Sequence, residues 1–179
     1  MVYILLAPGF EEAEALVPAD LLRRAGIEVA LAALEGDEVT GGHGVTVKAD
    51  LELARVELPR AEMLVLPGGT QGVSALWNSP SVCALIQEAV DREIPLAAIC
   101  AAPTILGRLG LLRGKRAVCY PGLEEQLEGA QVLQGARVVK DGLVTTGQAA
   151  GSAFDFGLKL IQILSGPDRA AEVRRAIHY

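Results

Sequence analysis

The 179-residue sequence holds only two histidines and three cysteines, and this scarcity removes several kinds of chemistry. Cys83, Cys100 and Cys119 stand at irregular spacing and form neither a disulfide framework nor a zinc-ligand pattern. An odd number of unpaired thiols fits a reducing, cytoplasmic setting. His43 lies in a glycine-rich segment expected to be a loop, and His178 is penultimate and expected to fray. Neither stands next to Cys100 in the sequence, so no local Cys-His pair is available and a Cys-His-Asp hydrolase within one subunit is not expected. No apolar run reaches the ~18–20 residues that a membrane-spanning helix requires. The apolar opening Met1-Val2-Tyr3-Ile4-Leu5-Leu6 has no basic region before it and no cleavage site after it, and reads as a strand, not a signal peptide. The net charge is −6 and basic residues are scattered. Nucleic acid and acidic membrane surfaces are therefore not expected as main partners. There is no Walker loop, and Gly9 alone after the first strand makes no dinucleotide fingerprint.

What is present suits one domain over residues 1–179, about half of it apolar. Strand-like runs at Val2–Leu6, Ile27–Leu34, Met63–Leu66, Ile94–Ile99 and Arg116–Cys119 alternate with helical patterns. A helix is expected over Glu11–Arg24, opened by acidic residues, with Ala13, Val17 and Leu21 repeating every fourth position. Another runs from Pro80 to about Arg92 with Ser79 as cap. Two more cover Ala150–Leu164 and Asp168–Ile177. Hairpins are expected about Gly41–Gly44 and about Lys140-Asp141-Gly142. This order implies an α/β fold, an open, mostly parallel sheet with helices on both faces. In such sheets ligands bind at the carboxyl ends of the strands.

The most informative segment is Leu96-Ala97-Ala98-Ile99-Cys100-Ala101-Ala102-Pro103-Thr104. A buried strand ends in a lone thiol and a helix starts within a residue or two. Such a turn resembles a nucleophile elbow with cysteine in place of serine. It would place the sulfur near the positive end of a helix, and Cys100 is accordingly expected to be more acidic than an ordinary thiol. Other unusual residues also follow predicted strands: Glu11, Glu12 and Glu14; Gly68-Gly69; and Tyr120. Gly68, Gly69 and the amide of Ala101 could together form an oxyanion hole. One of the three glutamates, facing inward, would stay protonated beside the sulfur, although spacing does not select which. Cys119, at the end of a neighbouring strand, is read as a small buried residue, with a resolving role for an oxidised Cys100 as the alternative.

These residues resemble the DJ-1/ThiJ/PfpI superfamily, and within it the DJ-1 branch. The likeness rests on Pro8-Gly9-Phe10-Glu11-Glu12-Ala13-Glu14, Arg23-Arg24-Ala25-Gly26, Leu66-Pro67-Gly68-Gly69, Ala97–Pro103 and Gly151-Ser152-Ala153-Phe154. It implies a flavodoxin-like three-layer sandwich and a homodimer. Cys100 would be the oxidisable nucleophile, Glu14 the protonated glutamate beside it, and Gly69 and Ala101 the oxyanion donors. It further implies cofactor-free, metal-free and glutathione-independent conversion of glyoxal or methylglyoxal to hydroxy acids, with deglycase action on their protein adducts. Oxidative-stress sensing through Cys100 sulfinate is the alternative role. Two departures stand out. Tyr120 occupies the position where DJ-1 itself has a histidine, so a tyrosine would have to hydrogen-bond the substrate or Glu14. With its last residue at Tyr179, the sequence is also expected to lack DJ-1's extra C-terminal helix. Ala101 replaces the histidine that follows the cysteine in the peptidase-like branch, which argues against peptidase activity.

Overall fold

A computed structural model describes residues 1–179. Its centre is built from short runs that are apolar on both sides. Val2–Leu6 (β1), Met63–Leu66 (β6) and Leu96–Ile99 (β7) are buried at every position, as parallel strands covered on both faces must be. With Val29–Ala33 (β2), Leu51–Glu52 (β5), Val138–Asp141 (β10) and Val144–Gly147 (β11) they form a seven-stranded sheet of order β10-β11-β7-β6-β1-β2-β5. All neighbours are parallel except β10 and β11. The register seats Ile4 between Leu31 and Val65. Two small pairs lie apart: the hairpin of Glu38–Thr40 (β3) with Thr46–Lys48 (β4), and Arg116–Ala117 (β8) with Gln131–Val132 (β9).

Alternation along each strand divides the core in two. Tyr3, Leu5, Leu64, Leu66, Leu96 and Ala98 meet Thr70–Trp77 (α2), Pro80–Asp91 (α3) and Pro103–Arg108 (α4) on one face. Val2, Ile4, Leu6, Met63, Val65, Ala97 and Ile99 meet Glu12–Arg24 (α1) and Ala153–Ala176 (α5) on the other. This is the α/β sandwich that the alternation implies. Helices α1 and α5 approach closely at Gly157, where a Cβ would lie 2.8 Å from Leu21 Cδ1 and 3.2 Å from Pro18 Cα.

Several boundaries differ from those read in the sequence. The expected Arg116–Cys119 strand is only two residues long and lies outside the main sheet. Side chains displace its ladder: Arg116 N–H donates to Asp141 Oδ2 and Val118 N–H to Thr146 Oγ1. Helix α2 was not anticipated, because it is only eight residues long and contains Gly72. The two expected C-terminal helices are both present within Ala153–Ala176 (α5), separated as expected by a break where Gly166 adopts φ 86° before Pro167. In α1 the buried side is Glu14, Ala15, Pro18, Ala19, Leu21 and Leu22. Of the expected stripe, Ala13 and Val17 are only partly buried.

Strand β1 leads through α1 to β2 on one side, whereas β6 and β7 lie on its other side. The strand order therefore reverses at β1, between β2 and β6, and a crevice opens beyond the carboxyl ends there. Gly9–Glu11 follow β1, Gly68–Gly69 follow β6 and Cys100 follows β7.

Candidate active site

Cys100 holds φ 65°, a left-handed conformation that a residue with a side chain rarely adopts. Strain of this kind costs on the order of 1–3 kcal/mol and persists only where the surroundings enforce it. Here Cys100 N–H donates to Gly147 O at 3.0 Å, and its carbonyl accepts from Tyr120 N–H at 2.8 Å. The elbow is thus pinned between β11 and the segment after β8. The amides of Ala101 and Gly69 stand beside the sulfur, where they favour its ionised form. Helix α4 starts only at Pro103 and has six residues. Two individual amides, more than a helix dipole, face the sulfur.

Glu14 is fully buried. Its Oε2 accepts from Gly68 N–H at 2.8 Å, and Glu11 N–H donates to Gly68 O at 3.0 Å, so the start of α1 is stitched to the end of β6. Oε1 is buried without a hydrogen-bond partner. Gly68 separates the two reactive groups. A Cβ there would stand 2.6 Å from Cys100 Cβ, 3.1 Å from Sγ, and in collision with Glu14 Oε2. The Gly68 N–H, expected among the oxyanion donors, is given to Glu14 Oε2, which leaves the amides of Gly69 and Ala101 beside the sulfur. Gly69 has φ 90°, and a Cβ on it would lie 2.6 Å from Glu11 N.

Burial raises the Glu14 carboxyl from its ordinary value to about 7. Burial first, then the charge of an ionised Glu14 and the hydrogen bond to it, pushes the Cys100 thiol up to about 12, against the lowering effect of the Ala101 and Gly69 amides. The expectation of an acidic thiol therefore does not hold: burial, the largest cause, opposes the thiolate whatever the state of Glu14, and an ionised Glu14 opposes it further. When Glu14 keeps its proton, the repulsion disappears and its O–H becomes a donor. The two groups titrate as a pair, and a thiolate forms most readily with the proton held on Glu14.

The sulfur opens into a cleft of about 500 Å³ whose walls include Glu11, His43, Gln71, Ala101 and Tyr120. Tyr120 is half exposed. It reaches the cleft but makes no hydrogen bond to Glu14, whose Oε2 is held by the Gly68 N–H while Cys100 lies beside the carboxyl. His43, expected to be a plain loop residue, is brought onto the cleft wall by the β3–β4 hairpin. Glu12 anchors it: Oε1 accepts from His43 N–H at 2.8 Å and Oε2 lies 2.9 Å from His43 Nδ1. Burial raises the Glu12 carboxyl, but hydrogen bonds from the His43 ring and from the N–H groups of Glu12, His43 and Val45 outweigh it and hold it at about 2. Ligand atoms of Glu11, Glu12 and His43 lie within 4.8 Å of one another. These Glu12 oxygens already serve the hairpin, which accounts for the cluster without a metal. No helix is long and apolar enough to cross a membrane.

The DJ-1/PfpI family model matches residues 1–163. The chain belongs to the DJ-1/PfpI family. It is 38% identical to protein dj-1beta of Drosophila melanogaster over 176 residues, which is 97% of this chain and 94% of that protein. It is 33% identical to a Pyrococcus abyssi protein named a deglycase, over 91% of this chain and 98% of that one. The solved structure of Toxoplasma gondii DJ-1, in an oxidized form, superposes with a TM-score of 0.94 at 34% identity, covering 99% of this chain and 97% of that one.

Within this DJ-1/PfpI fold, Cys119 belongs to the core on the α2–α4 face, whereas Cys100 packs against the core on the α1–α5 face. Cys119 is also buried, whereas Cys100 opens into the cleft. Mild peroxide should therefore oxidise Cys100 without forming a Cys100–Cys119 disulfide. Peptide mapping checks this, and a crosslinked peptide would reinstate Cys119 as a resolving thiol.

Proposed function

We propose that the chain is a cysteine-dependent, metal-free enzyme of the glyoxalase III or deglycase type, acting on glyoxal, methylglyoxal or their protein adducts. The observation that carries this reading is the strained Cys100 elbow, with two amides on its sulfur and a buried, readily protonated carboxyl on the other side of Gly68. The Pyrococcus abyssi relative named a deglycase supports enzyme activity within the family.

In this reading the Cys100 thiolate adds to the aldehyde carbon of methylglyoxal. The carbonyl π pair moves to oxygen, where the amides of Gly69 and Ala101 hold it and a proton from Glu14 completes a hemithioacetal. Moving the proton from the former aldehyde carbon to the ketone carbon then gives a lactyl thioester. One carbon is oxidised and its neighbour reduced within the same molecule, so no external redox partner is needed. Water cleaves the thioester to lactate and regenerates the thiol. Glu14 serves as the proton shuttle, and Tyr120, at the cleft wall, hydrogen-bonds the substrate. Substrate-sized access to sulfur, two amides for the oxyanion and a proton store beside them are what this sequence of steps requires. The same reading places the protein in the cytoplasm as a homodimer.

A second reading, an oxidative-stress sensor working through Cys100 sulfinate, draws support from the Toxoplasma gondii DJ-1 solved oxidized. Steady-state lactate formation from methylglyoxal by the purified protein separates the two. Wild-type turnover that is lost in Cys100→Ala supports the enzyme; no turnover above buffer favours the sensor.

A further inference from the structure

We propose that His43, held by Glu12, is the base that activates the hydrolytic water in the second half of this reaction. The inference rests on the glyoxalase reading above. That chemistry divides into two demands. The first half needs a nucleophile and a proton store, which Cys100 and Glu14 supply. The second needs a base that water can reach. Glu14 is fully buried behind Gly68 and is not part of the cleft wall, so it is badly placed to meet free water.

His43 answers that need. It lines the same cleft as Cys100, and its side chain is 70% exposed, open to solvent. Glu12 grips both its backbone N–H and its ring Nδ1, fixing the ring at the hairpin tip. With Nδ1–H donating to that carboxylate, the basic nitrogen is Nε2, which has no protein hydrogen bond. Glu12 remains ionised to about pH 2, so it can stabilise the imidazolium that forms when Nε2 takes a proton. Gly41 is part of the device: any Cβ there would collide with the Glu12 carboxyl.

The groups facing His43 are Glu11, just before α1, Glu12 from α1, and across the cleft Cys100 and Tyr120; no lysine or arginine lines it. The hydrogen bond to Glu12, then the charges of Glu11 and Glu12, raise the His43 pKa above its ordinary value. Deacylation should therefore speed up as pH rises through a value above that of a free histidine.

The step balances as follows. Nε2 removes a proton as water oxygen bonds to the thioester carbonyl carbon, and the Gly69 and Ala101 amides hold the resulting oxyanion. The C–S bond breaks, its electron pair returns to Sγ, and lactate leaves. The imidazolium gives up its proton to the sulfur or to solvent.

The test mixes methylglyoxal with wild type, His43→Gln, His43→Ala and Glu11→Gln, quenches at short times and traps with hydroxylamine. Hydroxylamine converts a lactyl thioester, but not a hemithioacetal, to lactohydroxamate. In His43→Gln, steady-state lactate should fall by about 10²-fold, the usual worth of a positioned base, while nearly one equivalent of thioester accumulates. Added imidazole should partly restore His43→Ala. Wild-type turnover with no accumulation in His43→Gln overturns the assignment, as does accumulation confined to Glu11→Gln. If wild type itself forms no lactate, the enzyme reading falls and this role with it. That outcome is distinct from a working enzyme indifferent to His43.

Discussion

Glu14→Gln should lower dicarbonyl turnover by about 10²–10⁴-fold while making the folded protein more stable above pH 7. The two effects share one cause. Glu14 is fully buried, and its pKa is raised from 4.5 to about 7. A carboxyl raised on folding is favourable only while it keeps its proton. Between pH 4.5 and about 7 the folded state therefore binds more protons than the unfolded state, and stability falls as pH rises through this window. The shift corresponds to a loss on the order of 3 kcal/mol. Glutamine matches the carboxyl in size and can still accept from Gly68 N–H, but it has no charge to bury and no proton to move. Denaturant unfolding across this pH range, together with lactate assays, checks both halves. The wild-type decline should flatten in the variant. Near-wild-type turnover would show that Glu14 is not the shuttle. A loss confined to Glu11→Gln or Glu12→Gln would assign the role to another carboxylate.

A site that carries a destabilising carboxyl explains why some of it is legible in sequence and some is not. The strands were readable because burial on both faces demands unbroken apolar runs such as Val2–Leu6 and Met63–Leu66. The position of Cys100 was readable because an apolar run ending in a thiol before Ala-Ala-Pro leaves little alternative to an abrupt turn. The choice of Glu14 came from the resemblance and not from spacing; the structure shows that it shares a buried side with Pro18, Leu21 and Leu22. The stripe of Ala13, Val17 and Leu21 pointed elsewhere, and of these only Leu21 is fully buried. The place of Arg116 and Val118 outside the main sheet was not legible. It depends on Asp141 and Thr146, more than twenty residues away, taking backbone N–H groups that a ladder would otherwise use. His43 was missed for the same reason. A glycine-rich hairpin looks like an ordinary loop until Glu12, thirty-one residues earlier, is seen to hold it by two hydrogen bonds. Local patterns report strands and turns, whereas these contacts are set by topology.

Gly68→Ala should then cost more in activity than its size suggests, and Gly69→Ala should cost more in stability. At Gly68 the obstacle is not backbone conformation but space. A methyl group there would lie 2.6 Å from Cys100 Cβ and 3.1 Å from Sγ, and would overlap Glu14 Oε2. The relief available is to push sulfur and carboxyl apart, which breaks the proton path and shifts the sulfur from the Gly69 and Ala101 amides. Misplacement of about 1 Å is enough to lower turnover by about 10²-fold, and overpacking of this kind costs about 1–3 kcal/mol. At Gly69 the methyl would crowd Glu11 N and Phe10 C in backbone that cannot yield, at φ 90°. Strain and overpacking add there, so the thermal midpoint should fall further than in Gly68→Ala. Measuring turnover, the pH dependence of Cys100 alkylation and the thermal midpoint for both variants separates the effects. In Gly68→Ala the alkylation profile should move toward that of an ordinary thiol, because Glu14 would no longer set its charge. An unchanged profile with full turnover would show that Cys100 and Glu14 do not act as one pair across Gly68.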